Sequence, residues 1–168
     1  MKYIIVIGAF LLSLLVIGCG GHRSYYKSAT KSNAADLLIG SWYSHGLKYT
    51  RKSFQIRERK KEQFFRNGQL LSSKWFAIRD RAGRDLGEFY ITKLFTWKLR
   101  GNRVVAKFQR CDVGVVRALK APNIGYNKLK RSCRYSLKRR GKVSVKRVKF
   151  ISNKEIMLGD KMYRKEQR

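Results

Sequence analysis

Acidic residues, histidine, cysteine and proline are all scarce in this chain. Its 168 residues include 10 Asp and Glu against 40 Lys and Arg, with two His, three Cys and one Pro. The sequence contains no Gly-rich phosphate loop, no His-Glu-x-x-His and no Gly-x-Ser-x-Gly. His45, beside the first predicted strand, is interpreted as solvated or hydrogen-bonded. We therefore predict that the protein is not an enzyme and has no catalytic residue, metal site or cofactor.

Long apolar runs are also missing, with one exception at the N-terminus. Residues 3–17 are almost unbroken apolar residues, preceded by Lys2 and followed by Gly18 and Cys19. A permanent transmembrane helix needs about 20 such residues, so the run is too short to be one and fits a secretory signal peptide. The alternatives are an uncleaved anchor, or an ordinary signal peptide in which the cysteine stands by chance.

The end of this run resembles the lipobox of bacterial lipoproteins, in the order aliphatic, small, cysteine: Val16-Ile17-Gly18-Cys19. The resemblance implies a lipoprotein signal peptide over residues 1–18 that is cut before Cys19. It also implies diacylglycerol on the Cys19 thiol and an acyl chain such as palmitate on the new amine. Gly20, rather than Asp, follows the cysteine, which by the same resemblance implies an outer-membrane lipoprotein with its domain in the periplasm.

Behind the cysteine the sequence predicts a short tether and one domain. Residues 19–36 are predicted to be the lipidated cysteine and a flexible tether, with Asp36 as the N-cap of one helical turn. Residues 37–168 are predicted to form a single β domain, since cleavage leaves 150 residues, the size of one ordinary domain.

Two cysteines remain if Cys19 carries lipid. Cys111 and Cys133 are then an even pair in an exported protein, and the oxidising periplasm favours a disulfide between them. Closing a loop of about 22 residues stabilises a fold by roughly 3 kcal/mol in the chain-entropy model. A metal site is the alternative, but neither cysteine has a second Cys or a His two to four residues away.

The body of the chain has the pattern of short strands joined by turns. Phe54 and Ile56 alternate with polar neighbours, and Asn67-Gly68 between apolar residues predicts a hairpin with a type I′ turn. Residues 57–63 have no apolar member, which fits either a projecting strand end or a solvated loop. Residues 113–132 contain the one proline and are predicted to be a long excursion with at most a turn or two of helix.

We therefore predict an all-β fold with about seven to nine strands and no long amphipathic helix. Closure into a small antiparallel barrel or rolled sheet avoids exposed strand edges. An immunoglobulin-like sandwich is the alternative. Gly40-Ser41-Trp42 resembles the opening of lipocalins and of small bacterial lipocalin-like domains. That resemblance implies a lipocalin-like barrel with Trp42 closing its bottom, and it transfers no ligand-binding residue.

Six aromatic residues are candidates for lining an apolar ligand pocket, or equally for filling a small barrel. They are Trp42, Phe76, Phe89, Phe95, Trp97 and Phe108.

The charge of the predicted mature chain is +29, because only Lys2 is lost with the signal peptide. Such a surface attracts polyanions and anionic membranes in a salt-dependent way. Expected partners are the membrane itself through the lipid anchor, anionic lipid or lipopolysaccharide, and an acidic envelope protein. Nucleic acid is the least expected, since the chain is exported and lacks RNA-binding strand motifs.

Two hypotheses follow. One is a binding or accessory lipoprotein that faces anionic envelope components or holds a small hydrophobic ligand. The other is a structural or assembly component that docks on another envelope protein complex.

Overall fold

Eight antiparallel strands form a closed barrel in which each strand pairs with the next and β8 pairs with β1. The computed structural model describes residues 31–51, 54–118 and 122–166. The strands are β1 (Gly40–Arg51), β2 (Phe54–Phe64), β3 (Gln69–Asp80), β4 (Asp85–Arg100), β5 (Arg103–Ala118), β6 (Val143–Phe150), β7 (Glu155–Leu158) and β8 (Lys161–Lys165). The helices are α1 (Lys31–Leu38) and α2 (Pro122–Leu137). The all-β barrel and its strand count are confirmed, and the sandwich is excluded.

The barrel is closed along only part of its height. β8 pairs with β1 over the three residues Trp42 to Ser44, and β6 pairs with β5 over Arg103 to Lys107. The longer strands β1 to β5 continue past this ring as an open, five-stranded extension. One end of the molecule is therefore a closed barrel, and the other is an extended sheet.

The apolar core fills the closed end. Trp42, Phe64 and Trp97 are buried there, with the Phe64 and Trp97 rings in edge contact at 5.0 Å between centroids. α1 covers this end of the barrel: its Leu38 is fully buried, and the Leu38 carbonyl accepts a hydrogen bond of 2.7 Å from Trp42 Nε1.

The start of α1 differs from the predicted boundary. Residues 31–36, assigned to the tether, are helical, and Ala34 is buried in the core. The reason is that Ala34 and Leu38, one helical turn apart, give this short helix an apolar face. The predicted signal peptide 1–18, the Cys19 lipid site and the tether up to residue 30 lie outside the described residues.

The predicted hairpin between β2 and β3 is confirmed, but its turn is of a different type. The Phe65 amide donates to Gln69 O, and the Gly68 amide donates to Phe65 O, so the loop encloses residues 66–68 rather than two residues. Gly68 has φ of +78°. This is the three-residue hairpin in which a glycine in the left-handed region completes the turn.

Residues 57–63 are not a loop, and of the two alternatives the projecting strand end applies only to residues 57–59, which continue past the closed ring. They belong to β2, which pairs with β3 from Phe54–Asp80 to Phe64–Leu70 without interruption. Alternate β2 side chains point into the barrel, so Lys60 and Glu62 lie inside it and are buried. Their charges are compensated within the interior, which a pattern search for apolar residues does not detect.

The predicted excursion over residues 113–132 is also wrong. β5 continues to Ala118, and Pro122 then begins the 16-residue helix α2, since proline is well suited to the first turn of a helix. The disulfide Cys111–Cys133 is present and joins α2 to β5. Tyr135 and Leu137 lie in the last turn of this helix.

α2 packs on the face of the extension that continues the barrel interior. A Cβ placed on Gly125 would lie 3.1 Å from Ile78 Cδ1 and 3.5 Å from the Phe89 ring, so a larger residue here would require Ile78 to shift by a few tenths of an ångström. Tyr126 and Cys133 lie on the same side, with the Tyr126 and Phe89 rings 6.2 Å apart.

Candidate functional site

The six candidate aromatic residues do not line one pocket. Trp42, Trp97 and the half-buried Phe95 belong to the core of the closed end, where Phe95 also meets the Phe108 ring. Phe89 lies under α2 instead, opposite the half-buried Phe76 in the β3–β4 pairing. These side chains fill two separate layers of the interior.

A small cavity lies inside the barrel beside Phe95. Its volume is about 40 Å³, and its lining mixes apolar side chains with Glu62, Ser72 and Lys146. Small-molecule sites typically measure about 300–1,000 Å³. This cavity therefore offers room for one or two water molecules rather than for a hydrophobic ligand.

An ionic cluster separates the apolar core from the layer under α2. Lys60 Nζ lies 2.5 Å from Glu62 Oε1 and donates a hydrogen bond of 2.8 Å to the Tyr163 hydroxyl. Lys146 Nζ approaches the same carboxylate at 3.6 Å. Glu62 is 1% exposed, and its oxygens make these ionic contacts without a well-directed hydrogen bond to any described group. The buried Glu62 carboxylate is thus the counter-ion of both ammonium groups.

The pKa values in this cluster follow from burial and neighbouring charge. Burial alone would lower the pKa of Lys60, but the Glu62 charge and the Tyr163 hydroxyl outweigh it, so the pKa is raised above its ordinary value. Burial lowers the pKa of Lys146, despite the attraction of Glu62. Burial also raises the pKa of the Tyr163 hydroxyl. Lys60 and Tyr163 therefore hold their protons firmly at neutral pH, as a structural pair does.

A second pair of lysines lies under α2. Lys74 Nζ contacts Glu58 at 2.9 Å, and Lys93 Nζ donates a hydrogen bond of 2.8 Å to Ser136 Oγ on the helix. Burial, and then repulsion by Lys74, lowers the pKa of Lys93. The inner side of the sheet thus carries four lysines, Lys60, Lys74, Lys93 and Lys146, beside two carboxylates, those of Glu58 and Glu62.

The outer surface of α2 is basic throughout. No Asp or Glu occurs between Asp112 and Glu155, whereas the same stretch contains 14 Lys and Arg. We define the basic face as the exposed cations of α2 and of the turn that follows: Lys128, Lys130, Arg131, Arg134, Lys138, Arg139 and Arg140. Lys128, Arg131 and Arg134 recur every third residue and so lie along one side of the helix.

Exposed apolar groups lie within the basic face. The Tyr135 side chain is 59% exposed with the Arg139 guanidinium 4.9 Å from its ring centroid, and Leu137 is 43% exposed. Cations mixed with exposed aromatic and aliphatic side chains are typical of surfaces that lie on lipid headgroups. Sequence reasoning missed this face, although the acid-free stretch from 113 to 154 was the signal that identifies it.

The structure brings together only some of the residues selected from the sequence. Cys111 and Cys133 are bonded, whereas Cys19 and the side chain of His45 lie outside the described residues. Among the side chains that are described, no three His, Cys, Asp or Glu are close enough together to hold a metal ion. None of the described helices is long and apolar enough to cross a membrane. No protein-family model and no curated protein sequence matches the chain.

Proposed function

We propose that this protein is a non-enzymatic lipoprotein of the bacterial envelope, anchored through Cys19, whose barrel domain lies against anionic envelope components. The observation that carries the proposal is the basic face, with seven exposed cations between Lys128 and Arg140 and no acidic residue near them in sequence. Anionic phospholipid and lipopolysaccharide phosphates are the counterparts that this surface fits, at an outer membrane facing the periplasm.

The energetics support surface binding. Each Lys or Arg near an anionic membrane contributes about 1 kcal/mol, and the contribution falls off within a Debye length. Tyr135 and Leu137 add apolar contact at headgroup level. A lipid on Cys19 would hold the domain at high local concentration, so that even weak contacts at the basic face would be occupied.

The interior favours this function over storage of a hydrophobic ligand. The described cavity of about 40 Å³ is bordered by the charged groups of Glu62 and Lys146, and a hydrophobic ligand would leave those charges without solvent.

Sedimentation with vesicles tests the proposal. A Cys19→Ser protein removes the lipid, and its binding to anionic vesicles is compared with binding to zwitterionic vesicles at low and high salt. We expect binding to the anionic vesicles alone, with collapse at high salt. The triple variant Lys128→Glu, Arg131→Glu, Arg134→Glu should weaken binding at least about tenfold, since three attractive charges become repulsive.

A matched control carries the same change in net charge elsewhere. Lys98, Arg100 and Arg103 are exposed near the β4–β5 turn at the closed end, and their replacement by Glu should weaken binding by less than about threefold. Equal losses in the two triple variants, or equal binding to zwitterionic vesicles, contradict the role of the basic face.

A second candidate function is docking on another envelope protein. Val143 and Val145 on the outer side of β6 are 50% and 55% exposed, which is an apolar pair open to solvent. A photo-crosslinking residue at Val145 should then recover one stoichiometric protein partner in cells. Recovery of lipid alone contradicts this candidate.

A further inference from the structure

The outer face of the sheet extension contains a groove that the basic face does not include. It lies across β2, β3, β4 and the end of β5, and its volume is about 590 Å³. Four arginines line it, together with an aromatic ring and acidic groups. The residues that matter most are Arg57, Arg59, Trp75, Glu88 and Arg117.

Strand register explains why these side chains meet. Arg59 is directly opposite Trp75, and Arg57 is directly opposite Ala77, so both arginines point to the same side of the sheet as their partners. Ala77 is in turn opposite Glu88, and Glu88 is opposite Arg117. Because the Ala77 side chain is small, it leaves a depression between the longer side chains of Arg57 and Glu88.

The arginines differ in how far they are neutralised. Arg79 Nε lies 2.8 Å from Asp85, and Arg117 approaches the other oxygen of the same carboxylate at 3.7 Å. Arg57 and Arg59 make no ion pair with any residue in the described ranges. Two guanidinium groups on one strand therefore line the groove without a carboxylate partner among the described residues.

We infer that this groove is a binding site for a phosphate ester of a sugar-like group, with Arg57 and Arg59 as the phosphate ligands. A guanidinium group presents paired N–H donors that match phosphate oxygens bidentately. The volume lies in the range of small-molecule sites and exceeds what a single phosphate needs.

The remaining lining defines the rest of the ligand. Glu88 and Gln55 are acceptors suited to hydroxyl groups, whereas a second phosphate near Glu88 would be repelled. The half-buried Trp75 ring offers an apolar surface against which the ring of the ligand can lie. One phosphate next to a hydroxylated ring would give a partner to each lining group that has none in the described residues, namely Arg57, Arg59, Gln55 and Glu88, and would place its ring on Trp75.

The groove and the basic face lie on opposite sides of the same sheet. α2 packs on the inner side through Gly125, against Ile78 and Phe89, whereas the groove residues alternate with these along the strands and point outward. A domain resting on a membrane through α2 would keep the groove open to the other side. The inference rests on the proposed function for the location of the ligand, which would be at the envelope membrane. The chemistry of binding is independent of that function.

Tryptophan fluorescence provides a direct readout. Of the three tryptophans, Trp42 and Trp97 are buried in the core, and Trp75 lines the groove. Titration of the protein with glucose 1-phosphate at low salt should give a saturable change in emission that is absent with glucose. The same change should be absent in Trp75→Phe.

The decisive variant is Arg57→Gln with Arg59→Gln, and its matched control is Arg66→Gln with Arg100→Gln, two exposed arginines outside the groove. We expect the groove variant to weaken glucose 1-phosphate binding at least about tenfold and the control less than about twofold. Urea unfolding of both variants checks that the fold is kept. Equal weakening in the two variants overturns the inference.

A second arm identifies the source of the phosphate ester. If the protein binds vesicles containing phosphatidylinositol 4-phosphate but not glucose 1-phosphate, and the groove variant loses that binding, the ligand of the groove is a lipid headgroup. Absence of groove-dependent binding to both glucose 1-phosphate and these vesicles overturns the inference. The triple variant Lys128→Glu, Arg131→Glu, Arg134→Glu tests binding to anionic vesicles without changing the groove, and the groove variant tests ligand binding without changing the basic face. A failure of one proposal can therefore be distinguished from a failure of the other.

Discussion

At the scale of single residues, Glu62 has the greatest influence on the interior. Its carboxylate is 1% exposed and is shared by Lys60 at 2.5 Å and Lys146 at 3.6 Å. Moving charges out of water is costly, and mutual attraction offsets that cost only while each charge has its partner. The cluster therefore adds little net free energy of folding. Its main effect is to restrict which side chains can occupy the middle of the barrel.

Replacing Glu62 by Gln should destabilise the protein by about 3–5 kcal/mol, because it leaves the buried Lys60 ammonium without a counter-charge. Urea unfolding at neutral pH measures the change in the free energy of unfolding. The control is Glu155→Gln, which breaks the more exposed pair with Arg164 and should cost no more than about 1 kcal/mol. Similar small losses in both variants contradict the account of the cluster.

At this scale the cysteines were predictable and the ionic cluster was not. Cys111 and Cys133 are bonded in the structure, and their pairing was predicted by counting once Cys19 was set aside as the predicted lipid site. Lys60 and Glu62 stand in a run of charged residues that is indistinguishable from a solvated surface until the cross-strand partners are known. Lys146 and Tyr163, which complete the cluster, are more than 80 residues away in sequence.

At the scale of elements, α2 is the largest departure from the sequence prediction. The side that it turns to the sheet carries Gly125, Tyr126, Cys133 and Ser136, and the half-buried Leu129 lies four residues from both Gly125 and Cys133. Glycine, cysteine and serine bury less apolar area than the larger side chains of the usual amphipathic stripe. Packing through glycine and a disulfide compensates for the apolar area that the stripe lacks.

Removing the disulfide tests this account of α2. The double variant Cys111→Ser, Cys133→Ser should lose about 3 kcal/mol of unfolding free energy, since the bridge closes a separation of 22 residues. Hydrogen exchange should accelerate most in α2, whereas β2 and β3 keep their protection. Treating the variant with a reductant should change nothing further. Uniform acceleration across the sheet contradicts a local role for the bridge.

At the scale of the whole molecule, charge of one sign dominates. The chain carries +30 at pH 7, and the eight ion pairs of the described residues involve six of its ten acidic side chains. A net charge this far from zero repels itself and opposes the compact state. The basic face and the arginine groove are the two places where an external anion would relieve that repulsion most.

Salt should therefore stabilise the protein rather than weaken it. Raising NaCl from low concentration to about 0.3 M shortens the Debye length to below about 8 Å and screens the repulsion. We expect the melting temperature to rise by several degrees, corresponding to about 1–2 kcal/mol. Sucrose at matched osmolality is the control for general solute effects. A fall in melting temperature with salt would mean that attractive surface pairs outweigh the net charge.

Local pattern was sufficient for the all-β class, the approximate number of strands, the Asn67-Gly68 hairpin and the disulfide partners, because alternation, turn chemistry and cysteine pairing act over short ranges or by counting. Barrel closure was expected from the need to avoid exposed edges, but the short height of the closed ring, the burial of Lys60 and Glu62, and the arginine groove were decided by tertiary structure. Their physical cause is register: a side chain faces the core, a counter-charge or solvent according to which residue a distant strand places opposite it.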